Sequence, residues 1–428
     1  MGNEYKTGGS GTLIKIAFRN IGRNKRRTAF CLCAVAIAVF FIPIYSSLID
    51  GMITTINKTV QIFELGQVGV VSKQYDEERE YMPVQYPVGG VDADGNPRSW
   101  KGLAAGIKAI PGVRAVLPRI TTMATLQEST IKHAMLWGLD MQAEKEVHHF
   151  NIAKNNDGLL EGRWPSNANE CAVGYAFRNK SGLTIGDRIP LKTISAQFSD
   201  RMWSPEITGI FNFDYIKPDE QYIIVDHDRL QRLLVLGEGT QSLFIYADNP
   251  RMSPALTKQV QNLLGHDHVV SNWEENYFVA MMKSVTPIYT IVFLTFLIVA
   301  SFLIVNTVVM IIHERIKEIG MMGSLGMRRT EIVMVFFFES VFLAVFGAII
   351  GVILGAALIG FLQAHPFNMI ALYGNNFSDY PMGNTIFFQF SIGRLLQAFI
   401  MGVIVASIFT LIPSLRSARV EPVEALRR

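Results

Sequence analysis

Histidine pairs are the residues of this chain most easily imagined around a metal: His148 with His149, His266 with His268, and His313 beside Glu314. None has the partners that a site requires. A zinc protease needs a second histidine one helical turn after the His-Glu pair, and His313-Glu314 lacks it. The other pairs have no matching ligand set, so surface histidines are the expected reading. Cys31 and Cys33 lie inside an apolar run and Cys171 stands alone in a polar region, which excludes a zinc framework and an intradomain disulfide there. Gly8-Gly9-Ser10-Gly11 is a flexible tail, and no G-x-x-x-x-G-K-[ST] occurs anywhere to cradle ATP phosphates. No catalytic residue, metal or cofactor is expected of this chain itself.

What remains is a stretch suited to contact. HERIKEIGMMGSLGMRRTE, residues 313–331, places Ile316, Ile319, Met322 and Leu325 at three-residue intervals, close to a helical stripe. Arg315, Lys317 and Glu318 occupy the other face. Glu314 and Glu318 are four residues apart, a like-charge pair that weakens a free helix by roughly 0.2–0.5 kcal/mol. Such a stretch is either a solvated connector or the docking element for a cytoplasmic partner.

The elements around it decide its compartment. Half of the residues are hydrophobic, only 18% are charged and the mean hydropathy is positive at +0.26, the signature of a membrane protein with a large soluble part. A net charge of +3 is too small to argue for nucleic acid. Residues 1–28 form a loose tail and a basic amphipathic helix, with Ile14, Ala17, Phe18 and Ile21 on one face and Lys15, Arg19 and Arg23 on the other, suited to an anionic membrane surface. Residues 29–49 are uncharged and long enough to span a bilayer. Lys25, Arg26 and Arg27 precede them and keep the N-terminus cytoplasmic, as an uncleaved signal-anchor.

Residues 50–282 contain no spanning segment and are predicted to fold outside as an α+β domain, as two subdomains. Strands are predicted at 66–72, 115–126, 221–226 and 242–248, helices at 100–110 and 254–264, and a mobile loop at 75–97. Further spans follow at 287–312, 332–362 and 395–413. The third would be roughly 46 Å long at 1.5 Å per residue, longer than a ~30 Å core. In it Gly347, Gly351 and Gly355 recur at four-residue spacing, a face that lets another helix approach closely, in this chain or in a second copy. Residues 363–393 contain no Lys or Arg and are predicted to be external, whereas Arg416, Arg419, Arg427 and Arg428 hold the tail 414–428 inside. The expected fold is thus four transmembrane helices, both termini cytoplasmic, with one large extracytoplasmic domain. The stretch 313–331 then faces the cytoplasm. The spans hold no internal Asp, Lys or Arg and one carboxylate, Glu339, which disfavours an ion-coupled carrier.

Four pieces in the same order resemble the FtsX-type permeases of ABC transporters, which include the MacB exporters and the lipoprotein-releasing LolC and LolE subunits. They are AFRNIGRNKRRTAF before the first span, LLEGRWPSNANECAVGYAFRNKSGLTIGDRIPL at 159–191, ERIKEIGMMGSLGMRRTEI after the second span, and PSLRSARVEPVEALRR at the end. The second resembles the MacB-like periplasmic core. ITGIFNFDYIKPDEQYIIVDHDRLQRLL, 207–234, is similar to LolC and LolE; the absence of a fused ATPase argues against a full-length MacB, and the size of the external domain against FtsX itself. No stretch is assigned to the short hairpin by which a LolC-type subunit grips its periplasmic acceptor.

The resemblance implies a permease subunit in the inner membrane, paired with a second permease, identical or paralogous, on an ATPase dimer that binds ATP and Mg. It makes 313–331 the coupling helix, with Glu314, Glu318, Gly320, Met321, Leu325 and Gly326 at the ATPase. ATP-driven closure would pass through the second span to the external domain by mechanotransmission and lift a lipoprotein from the outer leaflet toward a periplasmic acceptor. Phe40, Ile44, Tyr45 and Leu48 of the first span, with Ile288 and Val292 of the second, are candidates for lining an apolar receiving cavity; facing lipid or neighbouring helices is their other reading. Drug or peptide export with periplasmic and outer-membrane partners is one alternative function. Signalling to cell-wall hydrolases is another.

Overall fold

A computed structural model describes residues 10–21, 25–78, 82–91, 97–127, 131–314, 316–324, 327–368 and 384–417. The chain divides into two compact units.

The first unit comprises residues 1–51, 284–366 and 387–428. Its helices are α1 (Ser10–Ile21), the larger parts of α2 (Lys25–Thr59) and α3 (Tyr277–Glu314), α4 (Ile316–Ser324), α5 (Arg329–Ala364) and α6 (Ile392–Ser417). Among the described residues three helical stretches are long and apolar enough to cross a membrane: Thr28–Glu64, Arg329–Ala364 and Ile392–Leu411. They hold the predicted first, third and fourth spans. The predicted second span, 287–312, lies within α3 and carries no Asp, Glu, Lys or Arg. Both α2, with 35 residues, and α5, with 36, exceed the length a bilayer core requires, about 20 residues.

Small residues set the packing here. Val35, Val39 and Ala348 form one buried knot with Val352, Phe399 and Val403, joining α2, α5 and α6. Cys31, Ile332, Phe336 and Leu343 form a second, against which Met322 of α4 packs. Helix α1 buries Leu13 and Ala17, and its Phe18 ring meets Phe342 of α5 edge-on at 5.7 Å. The amphipathic stripe read from the sequence is therefore divided, with Ala17 buried while Ile14 and much of Phe18 stay exposed.

The second unit comprises residues 52–283 and 367–386. The strands of its large sheet are β1 (Val68–Ser72), β2 (Val113–Leu126), β3 (His133–Leu139), β4 (Leu159–Gly162), β5 (Glu170–Gly174), β6 (Leu191–Ile194), β7 (Asp200–Trp203), β8 (Glu206–Phe211), β9 (Tyr222–Asp226), β10 (Ser242–Ala247) and β11 (His268–Asn272). They follow one hydrogen-bonded path, β11-β1-β10-β2-β3-β9-β5-β8-β4, and β6 pairs with both β2 and β7. The α+β reading describes this unit. All four predicted strands and both predicted helices are present within a few residues of their expected bounds.

The 14-residue strand β2 belongs to both halves of the path. Its residues up to Arg119 pair with β10, and from Ile120 onward they pair with β3. On the first half the helices Trp100–Lys108 and Ser253–Leu264 cover a core of Val68, Val70, Leu243 and Ile245; Leu256, Val260 and Leu264 recur every four residues on the inner face. The second half is covered on both sides, so consecutive residues of β9 enter opposite cores: Ile223 and Val225 one, Ile224 the other. This explains the unbroken apolar run of β9.

The described residues of the stretch 75–97, expected to be a mobile loop, are anchored. Ser72 Oγ accepts a hydrogen bond from Tyr75 N at 3.2 Å and caps a short helix, Lys73–Glu77. Val84 and Val88 are buried, and Val88 exchanges backbone hydrogen bonds with Thr240. Apolar side chains in a charged, proline-rich stretch supply this anchorage.

Candidate functional site

The stretch expected to couple to a partner is helical in its centre. Gly320 of α4 is buried, Met322 is half-buried, and Lys317 and Met321 are exposed four residues apart on one side. Glu318 lies on the same helix and Glu314 ends α3; the side chains of both, with Leu325 and Gly326, lie outside the described residues. The next helix, α5, starts after Arg328, whose N donates to Glu331 Oε2 at 2.8 Å while Glu331 N donates to the Arg328 carbonyl at 2.9 Å.

The glycine face of α5 has its partner in this chain. A Cβ at Gly347 would sit 2.7 Å from Val35 Cβ, one at Gly351 2.5 Å from the Ala36 carbonyl oxygen, and one at Gly355 3.0 Å from Pro43 Cγ. The face thus packs on α2 at backbone distance. Phe40 lies at the same contact, half-buried, with its carbonyl oxygen 3.2 Å from that Gly355 position. Ile44, Tyr45 and Leu48 are half-buried on α2, whereas Ile288 and Val292 are exposed on α3.

Toward its end in the first unit, α2 is clamped to the segment before α6. Ser47 Oγ donates to the Gln389 carbonyl at 2.9 Å, and Arg394 grips Asp50 with two N–H bonds of 2.7 Å each. A Cβ on Gly51 would overlap the Phe387 carbonyl oxygen, so only glycine fits there.

Within the second unit, α2 ends in a π-helical turn, Val60–Glu64, that seats it on the sheet. Phe63 enters an aromatic cluster, 5.9 Å from Trp137, 5.5 Å from Phe213 and 5.2 Å from Tyr215 between ring centres. Burying such a ring contributes about 1.5–3 kcal/mol. Val60 and Ile56 also meet Val279 of α3. Strands β1 and β11, which follow α2 and precede α3, pair with each other antiparallel over Val68–Ser72 and His268–Asn272. Both long helices are therefore joined to the domain through adjacent strands.

A buried cation lies beside this turn. Arg119, 1% exposed, donates from Nε and Nη2 to Glu144 at 2.7 and 2.8 Å, and from Nη1 to the Ile62 carbonyl. Its guanidinium lies 4.9 Å from the Trp137 ring centre and 4.2 Å from that of Phe244. His148 Nε2 donates to Glu144 Oε2 at 2.6 Å. Burial pushes the Glu144 carboxyl up, but the Arg119 charge and the His148 hydrogen bond outweigh it and hold the group at about 2. Burial lowers His148 and keeps the imidazole neutral against the pull of Glu144. Surface histidine is thus the wrong reading for His148, whose side chain is 9% exposed, and for buried His268; His149 and His266 are exposed as expected. The i,i+4 spacing of Glu144 and His148 was the available signal, but their arginine is on another strand.

A second feature escaped the sequence. Strands β6 and β7 form a hairpin with Ile194 opposite Asp200. Ser195 and Ser199 close its turn through their hydroxyls at 2.7 Å, and Phe198 stands 77% exposed with φ +57°. Ile194, Met202 and Met123 of the neighbouring β2 are exposed as well. Only the turn residues between two short strand patterns could have signalled it.

Among the described residues no group of His, Cys, Asp and Glu could hold a metal. The family described as MacB-like periplasmic core domain matches residues 28–263, more than half of the chain, and the FtsX-like permease C-terminal family matches 290–422. The chain is similar to the lipoprotein-releasing system transmembrane protein LolC of Xylella fastidiosa, 21% identical over 351 residues that cover 79% of this chain and 83% of that protein. It is 24% identical to the macrolide export ATP-binding/permease protein MacB of Photorhabdus laumondii, over 59% of this chain and 32% of that one. The periplasmic region of MacB from Actinobacillus actinomycetemcomitans aligns with 51% of this chain and 91% of its own at a TM-score of 0.32 and 9% identity.

Proposed function

The chain belongs to the FtsX-like permeases that carry a MacB-like periplasmic core domain, and from that premise we propose that it uses ATP closure on a separate ATPase to lift lipoproteins from the outer leaflet of the inner membrane. It is an ABC transporter permease of the MacB/LolC/FtsX type. In the proposed arrangement four spans place both termini and α4 in the cytoplasm. Glu314, Glu318, Gly320, Met321, Leu325 and Gly326 meet the ATPase, which holds ATP and Mg, and a second permease completes the complex.

The observation that carries lipoprotein release is coverage. The likeness to LolC extends over 79% of this chain and 83% of that protein's length, which supports a common plan of spans and external domain. The chemistry is consistent: extracting an acyl chain costs about 0.8 kcal/mol per CH₂, which requires external work and an apolar receiving surface. Phe40, Ile44, Tyr45, Leu48, Ile288 and Val292 are proposed for that surface, and the hairpin of β6 and β7 for the periplasmic acceptor. MacB-like export of drugs or peptides is the second reading, favoured by the match of the external core to the MacB family.

The test is to purify the full chain with its co-expressed ATPase and identify bound lipid or lipoprotein by mass spectrometry. Acylated protein in the complex is expected; a bound drug-like or unacylated peptide cargo would move the assignment to export. Glu318→Lys is expected to abolish substrate-stimulated ATP hydrolysis while leaving membrane insertion intact. Normal stimulation in that variant would remove α4 from the coupling role.

A further inference from the structure

The end of α2 presents carbonyl groups that the helix itself cannot satisfy, and it is the negative end of the helix dipole. Two side chains from the sheet meet them. Tyr246 of β10 donates its hydroxyl to the Gln61 carbonyl at 2.9 Å, and Arg119 of β2 donates to the Ile62 carbonyl. Arg119 has little freedom of its own, because Glu144 holds the guanidinium by two parallel bonds and aromatic rings lie against it. Its place in the strand matters equally. Arg119 pairs with Ser242 of β10, and the next residue, Ile120, pairs with Gly138 of β3. The cation therefore stands where β2 passes from one half of the sheet to the other.

We propose that Arg119 is the positioning residue that ties the end of α2 to β2, so that a displacement of α2 reaches both halves of the sheet and is not absorbed in the turn Val60–Glu64. This rests on the permease reading above. A buried ion pair adds little net stability over an apolar pair of similar volume. What an apolar pair cannot supply is a directional bond to the Ile62 carbonyl. The role of Arg119 is accordingly separable from folding.

The separating variant is Arg119→Met with Glu144→Met, which leaves no unpaired buried charge. It is compared with wild type as the full chain, alone and with its ATPase, after circular dichroism and thermal melting establish that it folds. Hydrogen exchange of the amides in Val60–Glu64 is expected to speed up by about tenfold or more, the scale of a lost bond to a charged group, while β3 and β9 stay protected. ATP hydrolysis is expected to persist while ATP-dependent substrate release falls by about tenfold or more. Unchanged exchange in Val60–Glu64 would overturn the tie. Faster exchange with undiminished release would overturn its transmitting role. A wild-type complex that hydrolyses no ATP would sink the permease reading itself, and the exchange measurement would still report on the tie alone. If the double methionine variant fails to fold, Arg119→Lys, which keeps the charge and loses the planar fork, is measured in the same way.

Discussion

Glu144 is a buried carboxylate whose protonation this domain tolerates poorly. Its carboxyl is held at about 2, so the folded state needs the carboxylate, and the stability this contributes is present above the ordinary 4.5 and is lost as pH falls from 4.5 toward 2. His148 acts in the same direction at higher pH. The fold keeps it neutral, whereas an unfolded chain would take a proton below about 6.5, so acid again favours unfolding. Thermal melting of the full chain between pH 7 and pH 3 is expected to show both losses. Glu144→Gln should lower the melting temperature at pH 7 and flatten the profile below 4.5 relative to wild type; an equally steep acid limb would show that other carboxylates dominate. At this scale the sequence revealed little. Glu144 and His148 are visibly one turn apart, but Arg119, 25 residues from the carboxylate, comes to it only because β2 and the helix Met141–Val147 pack together.

The long helices were far more legible, since apolar length and flanking charge are local properties. What could not be read was the partner of the glycine face, because small-residue spacing serves a neighbour in the same chain as well as one in a second copy. Val35, Ala36 and Pro43 of α2 occupy that face. Gly351→Leu is therefore expected to destabilise the α2–α5 contact by about 1–3 kcal/mol or more, seen as earlier melting in detergent. Gly360 on the same helix is the control, because a Cβ there meets nothing within 4 Å and Gly360→Leu should melt like wild type. Equal behaviour of the two variants would mean that the face is not a tight interface.

At the scale of the whole chain, the hairpin proposed above for a periplasmic acceptor stands out by its exposure. Phe198 at the hairpin tip makes little contact with the core, so Phe198→Asp should leave melting unchanged. The same change is expected to reduce transfer of released lipoprotein to a periplasmic acceptor by about tenfold, the scale of a lost anchor residue in an interface. Transfer at the wild-type rate would relocate the acceptor site.

By itself the sequence determined the membrane-protein composition, the apolar runs and the α+β character of the large domain between them. Each of these follows from composition or period, which are readable along the chain. Only the tertiary structure decided that the glycine face meets α2, that His148 is a core residue, and that Arg119 caps a helix end 57 residues away. Those depend on which strands become neighbours, and one hydrophobic pattern is compatible with many pairings until the buried polar groups find their partners.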